Sequence, residues 1–148
     1  MKIYMDVCYL NRPFDDQSQE KVRLETEAII SILKRCDSNE DWMLIGSDII
    51  NLEILKNRDP VKRQKVKLLH DGVAEIVKYC DDIKQRASEF RIHNVKQFDS
   101  LHLASAEYAN VDVLLTTDAQ FIRAAAHTNA KIKVENPLIY LMEVLNEK

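Results

Sequence analysis

Phe98-Asp99-Ser100-Leu101-His102-Leu103-Ala104-Ser105-Ala106-Glu107-Tyr108 and, after a short break, Val113-Leu114-Leu115-Thr116-Thr117-Asp118 read as a nearly apolar helix opened by an acid, then a short apolar strand whose exit carries a second acid. In parallel α/β sheets, the carboxyl ends of the strands and the starts of the following helices gather along one edge, and ligands bind there. Two carboxylates delivered to that edge point to a cation site, provided that the rest of the chain brings further acids to the same place.

Outward from this stretch, strands and helices alternate. Lys2 to Met5 reads as a strand that ends at Asp6. Pro13 disfavours helix at Arg12. A long helix then runs to about Cys36, with Val22, Thr26, Ile29, Leu33 and Cys36 at three- and four-residue steps. Trp42 to Ser47 is a second strand, and Ser47 caps a helix from Asp48 to about Asn57, apolar at Ile49, Ile50, Leu52 and Leu55. Pro60 starts a helix to Asp71. Val73 to Tyr79 reads as a strand and Asp81 to Ile92 as a helix. The opening stretch predicts a helix from Asp99 to about Asn110 and a strand from Val113 to Thr116. Asp118 caps a helix through Ala126, Lys131 to Val134 is a last strand, and Pro137 begins a closing helix with Leu138, Leu141, Met142 and Leu145 as its buried stripe. The expectation is a single domain over residues 1–148: a three-layer α/β/α fold around a mainly parallel sheet of four to five strands.

Composition narrows the function classes. The 148 residues carry a formal net charge of −3, so bulk electrostatics does not mark a nucleic-acid binder. Gly46 and Gly72 are the only glycines, which excludes phosphate-cradling loops and the serine-hydrolase elbow. Cys8, Cys36 and Cys80 form no CxxC pair, which argues against a disulfide framework or a zinc site. No window is long and apolar enough for a membrane span, and the N-terminus lacks a signal pattern, so a mature cytoplasmic chain is expected.

Four acids fall where this reading places the ligand-binding edge: Asp6, Glu53, Asp99 and Asp118. A partly buried acid must be paired, hydrogen-bonded, neutralised or bound to metal. Ordinary structure accounts for each alone. Asp99 and Asp118 suit helix caps, and Glu53 has a solvent side to its helix. Asp6 is hardest to explain structurally, because Asp is depleted in strands. Their joint arrival at one edge favours a metal, and oxygen-only ligands suit Mg2+ or Mn2+.

The order of these acids and their flanks resembles the PIN domain, the fold of VapC-type toxin ribonucleases. The resemblance is carried by Asp6-Val7-Cys8-Tyr9-Leu10, by Phe98 to Ala106 and by Leu114-Leu115-Thr116-Thr117-Asp118-Ala119-Gln120-Phe121. It implies a divalent-metal-dependent endoribonuclease whose acidic quartet Asp6, Glu53, Asp99 and Asp118 holds Mg2+ or Mn2+, with Asp99 or Glu53 accepting the proton of the attacking water. It further implies an RNA substrate, a cognate antitoxin protein and frequent homodimers. Two positions depart from the family pattern: Cys8 replaces a small polar residue, and Gln120 replaces an acid. Asn11 or Thr116 then supplies the missing hydrogen bond.

Further residues flank the quartet. His102, three positions after Asp99, reads either as a buried, satisfied histidine or as a contact to the leaving group or substrate. Arg12 and the Thr116-Thr117 pair lie where they can meet a phosphate, and Lys56, Arg58, Lys62, Arg63, Lys65 and Lys67 form the one dense basic run. His70, His93 and His127 share no ligand spacing. Two alternatives stand beside the nuclease: a non-catalytic RNA- or protein-binding module of the same fold, and a phospho-receiver domain. A receiver needs adjacent acids after the first strand and a late lysine, and neither is present.

Overall fold

The computed structural model describes residues 1–7, 12–38 and 41–146. Strands β1 (Lys2–Met5), β2 (Met43–Ser47), β3 (Glu75–Val77), β4 (Val113–Leu115) and β5 (Lys133–Glu135) form one sheet in the order β3-β2-β1-β4-β5. Every neighbouring pair is parallel. Parallel strands need long crossovers. These are supplied by α1 (Glu20–Ser38), α2 (Asp48–Leu55), α3 (Pro60–Asp71), α4 (Asp81–Ile92), α5 (Gln97–Tyr108) and α6 (Ala119–Ala126), and α7 (Pro137–Asn146) closes the chain. The expected α/β/α layering is the observed one, with five strands.

β1 sits at the centre of the sheet. Its Ile3, Tyr4 and Met5 have no exposed surface, because a central parallel strand is covered on both faces. The chain builds outward from β1 through β2 to β3, then returns to the opposite side for β4 and β5. The order therefore reverses at β1, and the crevice between β1 and β4 is the position where such sheets take ligands. Met5 pairs with Leu115, which brings the next residues of both strands, Asp6 and Thr116, to the same level of that crevice.

Side-chain alternation along β2 explains two buried polar positions. Ser47 meets Tyr4, while Gly46 faces His70 of α3. A Cβ on Gly46 would lie 2.4 Å from His70 Nε2, so the absence of a side chain here is a packing requirement. His70 has no exposed surface. It receives the backbone N–H of Ser47 at Nε2 (3.3 Å) and bonds Asn51 Oδ1 through Nδ1 (2.9 Å), so a histidine with no assigned role pins β2 to α2 and α3.

Element boundaries follow the capping chemistry. Asp59 accepts from the backbone N–H groups of Val61 and Lys62 beside Pro60, and Asp118 accepts from those of Gln120 and Phe121. Two expected stripes are corrected. In α2, Leu52 and Leu55 are exposed, because Ile49, Ile50 and Ile54 take the core side. In α7, Met142 and Leu145 are exposed and Tyr140 is the buried anchor, packed against Trp42. The last strand also begins two residues later than expected, at Lys133.

Candidate active site

Asp6 follows β1 directly and is only 8% exposed. Its backbone N–H donates to Leu115 O at 3.3 Å, continuing the ladder one residue beyond the strand. Thr116, fully buried at the exit of β4, donates its hydroxyl to Asp6 Oδ2 at 2.7 Å. Thr116 Oγ1 itself accepts the N–H of Asp118 at 3.1 Å. One threonine thus joins the two strand exits. Of the two residues expected to support Asp6, Thr116 makes the bond, whereas Cys8 and Asn11 lie outside the described residues. Thr117 is half-buried between Thr116 and Asp118.

Asp118 is a helix cap, as its position suggested. Oδ1 accepts from Gln120 N at 2.9 Å and from Phe121 N at 3.2 Å. The cap also holds the carboxylate at the sheet edge, so capping and site membership are not exclusive. Asp99 lies in the first turn of α5, half-buried, and makes no hydrogen bond or ion pair among the described residues. Burial, first, and then the charges of Asp6 and Asp118 push its carboxyl up to about 6, with Glu53 adding to the rise and His102 opposing it. Asp6, Glu53 and Asp118 therefore each lie within electrostatic reach of Asp99. Among the described residues, no three His, Cys, Asp or Glu side chains stand in a ready-made metal-ligand arrangement.

Glu53 reaches the edge from α2. Its Oε1 bonds His102 Nε2, and the other ring nitrogen of His102, Nδ1, lies 2.7 Å from Tyr4 OH. His102 has no exposed surface. It is both a satisfied buried histidine and a direct partner of a site acid. Spacing along the helix does not reveal that both hold at once. Tyr4 and Ser47, which complete this contact, were not singled out as site residues. The available signal was polar atoms at interior positions of two buried strands.

The flanks divide. Arg12 is engaged by Asp15 Oδ2 at 3.0 Å and by buried Glu25 at 3.1 Å, and Glu25 also accepts from Asn136 Nδ2 at 2.7 Å. That guanidinium ties Arg12 and Asp15 to Glu25 of α1. Within the basic run, Lys62 pairs with Asp15, and Arg63 donates to Asn57 O. Lys56 lies 4.2 Å from the centre of the Phe98 ring, next to Asp99 in sequence, so its ammonium stands at the rim of the acidic edge. Lys96 donates to Gln120 Oε1 at 3.0 Å, close to Asp99.

Residues 22–127 match the model of the PIN domain family. The chain belongs to that family. The matched stretch contains Glu53, Asp99 and Asp118, with Asp6 preceding it, and membership sets aside the phospho-receiver alternative. Two solved structures have the same fold as this PIN domain. The crystal structure of VapBC2 from Rickettsia felis bound to a DNA fragment from their promoter superposes with a TM-score of 0.64 at 15% identity, over 92% of this chain and 98% of that one. VapBC-1 from nontypeable Haemophilus influenzae superposes with a TM-score of 0.60 at 13% identity, over 93% and 98%. No curated protein matches the sequence. None of the described helices is long and apolar enough to cross a membrane.

Proposed function

We propose that this PIN domain is a divalent-cation-dependent endoribonuclease acting as the toxin of a toxin–antitoxin pair. One observation carries the reading. Three further carboxylates act on the carboxyl of Asp99, and no lysine or arginine pairs with it among the described residues. Such a cluster suits a hard cation with oxygen ligands, Mg2+ or Mn2+. Asp6, Glu53, Asp99 and Asp118 would hold it. When bound, the cation supplies Lewis acidity to water and to a phosphodiester.

The chain's own residues do the rest. Thr116 fixes Asp6, the α6 cap fixes Asp118, and His102 fixes Glu53. Between Asp99 and Glu53 as acceptor of the water's proton, Glu53 Oε1 is already engaged by His102, which favours the unengaged carboxylate of Asp99. Lys56, at the rim, meets the RNA backbone. The antitoxin partner is supported by the likeness to VapBC structures. A homodimer is supported by Ile139, Met142 and Leu145, which line one exposed ridge of α7 at three-residue steps.

The test is incubation of the protein with RNA in Mg2+ or Mn2+, with and without chelator. Cleavage that needs the cation and is lost in Asp6→Asn and Asp99→Asn is the expected result. Chelator-insensitive cleavage, or no cleavage together with no Mn2+ uptake by calorimetry, overturns the reading. Mn2+ uptake without turnover would instead identify a non-catalytic binding module.

A further inference from the structure

Tyr4, Ser47 and His102 all have no exposed surface, yet they place a line of polar atoms through an otherwise apolar core. Ser47 Oγ lies 2.6 Å from Tyr4 OH, and Tyr4 OH lies 2.7 Å from His102 Nδ1. His102 Nε2 then meets Glu53 Oε1. Polar groups in a core are costly unless every one is satisfied. A network that merely braces the fold can close within the core. This one leaves it, ending on a carboxylate whose side chain is 28% exposed at the acidic edge.

We propose that Ser47, Tyr4 and His102 form a one-way hydrogen-bond chain that positions Glu53, which makes them positioning residues of the carboxylate site. This rests on the reading of Glu53 as a cation ligand. The direction follows from donor and acceptor capacity. An ionised Glu53 only accepts, so His102 presents Nε2–H to it; in the neutral form of the ring, Nδ1 is left as an acceptor. Tyr4 then donates its one proton to Nδ1 and accepts from the Ser47 hydroxyl. Ser47 Oγ remains able to accept the backbone N–H of Ile50, which it does at 3.1 Å. The chain holds His102 in a single tautomer and ring orientation, and so locks one oxygen of Glu53 in place. Partners of this kind around a metal ligand fix its orientation and tune its affinity.

Two measurements test the chain. In metal-free protein, nitrogen-15 NMR of the histidine ring is expected to show His102 as the Nε2–H tautomer, with Nδ1–H gaining population in Tyr4→Phe. An Nδ1–H tautomer in the unmodified chain overturns the assigned direction. In Mn2+ titration calorimetry, Tyr4→Phe is expected to raise Kd about tenfold, and a Kd equal to that of the unmodified chain overturns the positioning role. His102→Gln, which keeps a donor for Glu53, is expected to bind Mn2+ more tightly than His102→Leu; equal affinities also count against the proposal. If the unmodified chain takes up no Mn2+, the cation reading of Glu53 fails, and the tautomer result alone decides whether the chain exists.

Discussion

Thr116 Oγ1 donates to Asp6 Oδ2 at 2.7 Å across the crevice between β4 and β1, 110 positions apart in sequence. This bond lies where the strand order reverses, so it couples the integrity of the sheet edge to the placement of a site acid. Thr116→Val keeps the shape but leaves a buried carboxylate oxygen without this donor. The expected loss is roughly 1–3 kcal/mol of stability in urea denaturation, together with weaker Mn2+ uptake. Thr116→Ser retains the donor and is expected to stay near the unmodified chain on both measures.

Gly46 lies under His70. An added Cβ would stand 2.4 Å from Nε2, 2.9 Å from Cδ2 of that ring and 3.0 Å from Val73 Cγ2. Because the ring is buried and bonded on both nitrogens, it has little room to retreat. Gly46→Ala is therefore expected to destabilise by about 1–3 kcal/mol, read as a lowered urea midpoint. Adding His70→Ala should cost less in the Gly46→Ala background than in the unmodified chain, because there it also relieves the clash that the added Cβ creates.

Burial pushes the His70 imidazole below its ordinary value of 6.5, against the opposing charges of Asp71 and Asp48. The fold thus favours the neutral ring. The resulting stability is fully present above pH 6.5 and is lost as pH falls towards the depressed folded value, because the unfolded chain then binds the proton first. Denaturation of the unmodified chain and of His70→Gln between pH 7 and pH 5 checks this. The unmodified chain should show the steeper loss on acidification.

Asp99 behaves in the opposite sense. Its carboxyl is raised from 3.8 to about 6, so in metal-free protein its contribution is intact below the unfolded value and is lost as pH rises through about 6. At pH 7 the ionised group opposes folding. Asp99→Asn is expected to stabilise the metal-free protein at pH 7 by on the order of 1–3 kcal/mol, with the gain vanishing near pH 4. A variant that is inactive yet more stable is the signature of strain held at a functional site. An unchanged urea midpoint at pH 7 would count against it.

Much of this fold was legible in short windows. Pro60–Asp71 and Asp81–Ile92 occur as expected, because their caps and apolar spacing act within a few residues. Alternation of strand and helix set the parallel sheet, and the carboxyl ends of β1 and β4 mark Asp6 and Asp118 in sequence, with Asp99 at the start of a helix. Errors arose where a helix had apolar residues on more than one side. Spacing alone could not say that Tyr140, rather than Met142 or Leu145, would face the core of α7.

By itself, then, the sequence determined most of the elements and the class of fold, since these depend on local periodicity, and it singled out four acids as candidates. Only the tertiary structure decided the partners: Thr116 for Asp6, His102 for Glu53, and Tyr4 with Ser47 behind them. Those contacts join residues about 43 to 110 positions apart. They exist because β1 lies between β2 and β4, an order set by packing of the whole chain and written in no single segment.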